Sequence, residues 1–180
     1  MFKTLEELTP KTPQQERLVT MAKQLFAFSA DCIAKDPDTL METMLVEKDD
    51  SGDMTFAVVS HLFGLSPELR ARALRIALRD LGAVRYVLAC EAWTARMSKD
   101  DDIESDDFVR PADRPDRVST LMLTGEGGKD RLMGGFEIDE TASPRRLLTG
   151  DHTYVDLWNL DDDDGKGLRS KGRMVDLLVD

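Results

Sequence analysis

A chain of 180 residues is long enough to bury one continuous core without disulfides or structural metal. Its 41% hydrophobic and 33% charged residues describe a folded protein with a heavily charged surface, and exclude a disordered one. A net charge of −11 argues against direct binding to nucleic-acid phosphates or to an anionic membrane, and no apolar run is long enough to cross a bilayer.

The start, Met1-Phe2-Lys3-Thr4-Leu5-Glu6-Glu7-Leu8, lacks the basic end and apolar stretch of a signal peptide, so a cytoplasmic location is expected. Thr12-Pro13-Gln14-Gln15 then opens a helix, with Thr12 as N-cap and Gln15 completing a capping box. Leu18, Ala22, Leu25, Phe26, Ser29 and Ile33 recur at helical spacing, and Asp36-Pro37 stops the helix. Two apolar runs, 40–48 and 54–62, flank the turn-forming Asp49-Asp50-Ser51-Gly52-Asp53 and read as an antiparallel hairpin.

Ser66-Pro67-Glu68 starts a second helix, whose apolar face is Leu69, Ala73, Leu74, Ile76, Ala77, Leu78 and Leu81. Arg72, Arg75 and Arg79 line its opposite side, a solvated face, and Gly82 ends it. Residues 83–97 read as a long strand, apolar on both faces and therefore central. Residues 99–116 break the pattern with a run of acids that includes Asp100, Asp101, Asp106 and Asp107. A loop of that length in a compact domain is functional or mobile.

Strand character returns over 117–124, turns at Gly125-Glu126-Gly127-Gly128-Lys129-Asp130, and resumes over 131–138. A further arm is expected around 147–160, then a solvated turn at 161–167 and a short closing element at 174–179. The segment 140–180 is the least determined by its pattern. Helices and runs of strands without crossover helices make an α+β fold. The expectation is one domain over 1–180, with a mainly antiparallel sheet of five to six strands and two helices packed against one face.

No motif carries known chemistry. Cys32 and Cys90 lie in separate apolar segments and read as buried free thiols. His61 and His152 have no metal-ligand spacing. Counting back from Gly165 as the sixth position of a calcium loop places Leu160 at the first, where an oxygen ligand is needed. There is neither a nucleophile elbow nor a phosphate loop. Pro115-Asp116 with Glu126 and Lys129 distantly resembles a PD-(D/E)xK nuclease core, but two residues separate Glu126 from Lys129 where that core has one. The sequence therefore leans away from an enzyme and assigns no cofactor and no metal.

One constellation stands out. Glu91 is a lone acid in an apolar strand, followed by Trp93. Beyond the acidic loop stand Arg114 and Arg117, either of which could meet the Glu91 carboxylate. An ion pair pinning the loop and a small-ligand or partner site both fit that arrangement. The block Glu91-Ala92-Trp93, then Arg110-Pro111 through Pro115-Asp116-Arg117, then a strand ending Thr124-Gly125-Glu126, resembles uncharacterised proteins of phages and other mobile elements with an EAW…P…PxR block. That resemblance implies a viral or prophage origin and no activity or catalytic residue.

The leading expectation is a non-enzymatic acidic interaction protein, phage-encoded and binding a host protein. Its partner surface is Glu91, Trp93, Arg114, Arg117 and the acids Asp100, Asp101, Asp106 and Asp107. The alternatives are a small hydrolase or nucleotide-binding protein with a site near Glu91 and Arg114/Arg117, and a self-associating structural protein.

Overall fold

The computed structural model describes residues 4–35, 42–49, 51–95 and 109–161. The first helix, α1, spans Pro13–Lys35. Thr12 Oγ1 accepts from the Gln15 backbone N–H at 3.1 Å, and the Gln15 side chain accepts from the Lys11 N–H at 2.8 Å. The capping box closes, with its return bond one residue earlier than the N-cap itself. The expected stop at Asp36-Pro37 lies outside the described residues. The predicted hairpin is β1 (Thr43–Glu47) against β2 (Met54–Val58), paired antiparallel from Thr43↔Val58 to Glu47↔Met54.

Helix α2 spans Pro67–Asp80, and Ser66 Oγ accepts from the Leu69 N–H at its start. The long central strand is β3 (Arg85–Thr94), followed by β4 (Val118–Gly127) and β5 (Asp130–Asp139). The further arm resolves into a two-residue β6 (Arg146–Leu147) and β7 (Thr153–Asn159). The sheet runs β2-β1-β3-β4-β5, with β6 and β7 both on the outer side of β5, and every pair is antiparallel. This is the α+β architecture expected, with two helices and a curled sheet. The closing element expected at 174–179 and most of the turn at 161–167 lie outside the described residues.

The helices do not share a face. Leu18, Leu25 and Ile33 of α1 pack with Leu45, Val87, Ala89, Leu121, Leu123 and Phe136, whereas Leu74 and Leu78 of α2 pack with Met44, Val46, Tyr86 and Leu88. The alternation along β1 and β3 sends successive side chains to opposite sides, which is why both faces of β3 are apolar. α2 is also less apolar-bound than its composition suggests. Leu69 and Ile76, read as core, are 54% and 42% exposed, because only Ala71, Leu74 and Leu78 reach the sheet.

The glycine-rich stretch is the other correction. Gly125, Glu126 and Gly127 belong to β4, and only Gly128-Lys129 turns, with Gly128 at φ +57°. A Cβ on Gly127 would stand 2.8 Å from Arg85 Cγ, and one on Gly125 would stand 3.0 Å from Val87 Cγ2. These glycines clear space for the side chains of β3. Glu126, read as a turn residue, is fully buried and accepts from the Tyr86 phenol at 2.7 Å.

Buried polar groups seat the start of α1 on the sheet. Arg85 Nη1 donates to Glu47 Oε2 at 2.8 Å; Arg17 also pairs with Glu47, and Gln14 accepts from Arg85. Asp130 accepts from Thr12 Oγ1, Gln15 Nε2 and Asn159 Nδ2 at 3.2, 2.9 and 2.8 Å. Among the described residues, no helix is long and apolar enough to cross a membrane.

Candidate functional site

The strand register decides which chemistry-bearing side chains meet. Thr120 stands opposite Glu137, and Phe136 opposite Thr153. Thr94, Thr120, Glu137 and Tyr154 therefore share the face that carries α2, beyond the reach of that helix. On this face the far end of the sheet opens into a concavity of about 1120 Å³.

A polar row crosses its floor. Thr94 Oγ1 and Thr120 Oγ1 are 2.6 Å apart, and His152 Nδ1 lies 2.7 Å from Glu137 Oε2. A carboxylate only accepts, so Nδ1 carries the hydrogen and Nε2 remains as the second polar atom of the imidazole. The turn Gly150–His152, just before β7, delivers His152 to this position. Tyr154 lies flat across Gly135: a Cβ on that glycine would be 2.2 Å from the ring. The phenol reaches Met122 Sδ at 3.3 Å, and burial pushes its pKa up to about 12. Burial likewise pushes the half-buried Cys90 thiol up to about 11; Cys32 is also a free, half-buried thiol.

The rim combines carboxylates and an indole. Asp116 and Asp151 line it with Trp93. The Arg114 guanidinium donates to both Asp116 oxygens at 2.9 and 3.1 Å and holds that carboxyl below the usual range. Trp93 is 46% exposed, and the Arg117 guanidinium sits 4.7 Å from its ring centroid.

Glu91 meets neither Arg114 nor Arg117. It projects to the α1 side of the sheet, where Ser119 Oγ donates to it at 2.5 Å and Arg145 Nη2 at 2.7 Å. Arg145 also binds Glu140 at 2.9 Å, so the pair fastens the turn after β5 to the sheet. Arg117 reaches the Ala112 carbonyl and so holds the short turn Pro111–Asp113. Trp93, Arg114 and Arg117 thus gather at one end of the sheet, while Glu91, two residues before Trp93 on the same face of β3, takes Ser119 and Arg145 as its partners. Asp100, Asp101, Asp106 and Asp107 lie outside the described residues.

Sequence reasoning passed over Thr94, Thr120, Glu137 and Tyr154, and weighed His152 only as a metal ligand. A signal existed for one of them: Glu137 is an acid set between the apolar Phe136 and Ile138 of its strand. His61 is exposed in the turn Ser60–Leu62. Among the described residues, no group of three or more His, Cys, Asp or Glu is placed to hold a metal ion. No described hydrogen bond joins His152 to a hydroxyl, so the floor offers hydrogen-bonding groups without an assembled nucleophile. Compared with known proteins, the chain matches no family model, no curated protein and no solved structure.

Proposed function

We propose that this protein is an acidic binding protein whose concavity receives a cationic side chain from a protein partner. The observation that supports the reading is the lining. It carries Tyr154 and the carboxylates of Glu137 and Asp151, with Trp93 and the Arg114-paired Asp116 at its rim, and no lysine or arginine is among its lining residues. Carboxylates beside aromatic faces favour ammonium and guanidinium groups, and the net charge of −11 draws a basic partner from a distance. On the resemblance to phage proteins, the partner is a host protein with an exposed basic segment.

The test is titration of the full chain with a lysine- and arginine-rich peptide, followed through the Trp93 indole and His152 imidazole NMR signals. Those signals should shift saturably, and affinity should fall with added salt. Glu137→Gln with Asp151→Asn should weaken binding by roughly tenfold, about 1.4 kcal/mol. Unchanged affinity in that double variant removes the concavity from the proposal.

The Thr94–Thr120 hydroxyl pair beside the Glu137–His152 pair favours a second reading, a site for a free small ligand. That reading calls for saturable binding of an uncharged, hydroxyl-rich molecule at the same signals.

A further inference from the structure

We propose that two copies of this chain associate through β2, pairing antiparallel about a two-fold axis at Ala57. β2 is the edge of the sheet, and no described strand pairs with its outer side. Its outward N–H and C=O groups form a ready template for another strand. Edge strands are ordinarily blunted by charge, proline or a bulge. Met-Thr-Phe-Ala-Val over Met54–Val58 has no charge and no proline, and its register against β1 is unbroken.

The side chains beside this edge point the same way. Phe56 is 53% exposed and Val58 is 49% exposed, both on the α1 side of the sheet. Phe28 of α1 stands next to them, its ring centroid 5.5 Å from that of Phe56. The patch is continuous with the free backbone edge, so one incoming strand would cover both.

A second copy of the same strand fits that edge in both shape and charge. With Ala57 on the axis, Phe56 of one copy lies opposite Val58 of the other, and the two-fold makes this contact twice, once for each Phe56. An aromatic against a β-branched residue is a favourable cross-strand pair. The strand itself is neutral, so the pairing brings no like charges together although the chain carries −11. Ala57, the smallest side chain of β2, leaves room at the axis where a residue faces its own copy.

The experiment is sedimentation velocity of the full chain across the micromolar range, with two variants. The wild-type chain should sediment as a dimer. Phe56→Lys, at an exposed position, should keep its circular dichroism and raise the dimer Kd by roughly tenfold or more, since an ammonium replaces each aromatic contact. Ala57→Cys, mildly oxidised, should give a covalent dimer, because the axis residue faces its copy at about 5 Å. The wild-type chain under the same oxidation controls for Cys32 and Cys90. A wild-type monomer at about 100 μM overturns the proposal, since a stable interface has a Kd well below that. So does a dimer that Phe56→Lys leaves intact and Ala57→Cys fails to cross-link.

Discussion

Gly135 and Tyr154 are register partners on β5 and β7, and the tyrosine ring occupies the space where a side chain on residue 135 would be, 2.2 Å from the ideal Cβ. Gly135→Ala should push the ring off the strand, break its contact with Met122 and cost about 1–3 kcal/mol. Tyr154→Ala should be destabilising by itself, and the double variant should cost less than the sum, because the two changes act on one contact. Urea denaturation of the three variants reads the coupling. Additive costs would mean the ring is not held by that glycine.

Glu47 stands between two guanidiniums, that of Arg85 fully buried with it and that of Arg17 nearer the surface. Glu47→Gln leaves buried positive charge without its carboxylate and should cost about 3–5 kcal/mol. Asp161→Asn, which breaks the exposed pair with Lys129, should cost under about 1 kcal/mol. Comparable losses at the two sites in thermal unfolding would contradict the burial on which the contrast rests.

Glu91 and Arg145 hold the turn between β5 and β6 against β3. Glu91→Ala should cost roughly 1–3 kcal/mol, the range for a hydrogen bond to a charged group. Amide exchange should quicken over residues 140–148 while the basic-peptide affinity stays unchanged, since the pair faces away from the concavity. Loss of peptide binding with normal exchange would make Glu91 a contact residue.

Cys90 and Tyr154 are acids held neutral by burial, at about 11 and 12 against ordinary values of 9.0 and 10.0. The folded state therefore binds these protons more tightly than the unfolded chain does. The stability they contribute is complete below about pH 9 and is lost as pH rises through about 11 to 12. Urea midpoints should drop over that window, and Cys90→Ala should remove its lower part. Alkylation of Cys90 at neutral pH should be slow in the folded chain and fast in urea.

The elements that sequence made legible are those whose signals are local. Thr12 and Ser66 announce their helices through cap bonds formed within three residues, and the β1–β2 hairpin follows from a short run of turn formers. The apolar count on both faces of 83–97 likewise gives a central strand. What failed needed partners distant in sequence. Gly125 and Gly127 resemble turn residues until Val87 and Arg85 occupy the space above them. Leu69 and Ile76 look like core until the sheet is seen to touch only one narrow side of α2. The candidate site failed in the same way: Glu91 is claimed by Arg145, 54 residues further on, while Arg114 pairs with Asp116 and Arg117 stacks on Trp93. The polar row of Thr94, Thr120, Glu137 and His152 exists only once four strands are in register.

The sheet separates two apolar clusters that share no side chain. Leu45 enters one and Met44 and Val46 the other, so the clusters touch only through the main chain of β1 and β3. The smaller one closes under a single helix, and α2 can lift away while every α1 contact remains in place. Native-state hydrogen exchange should thus resolve two cooperative units. Amides of α2 should open at a free energy below the global value, and those of β3, β4 and β5 only when the whole molecule unfolds.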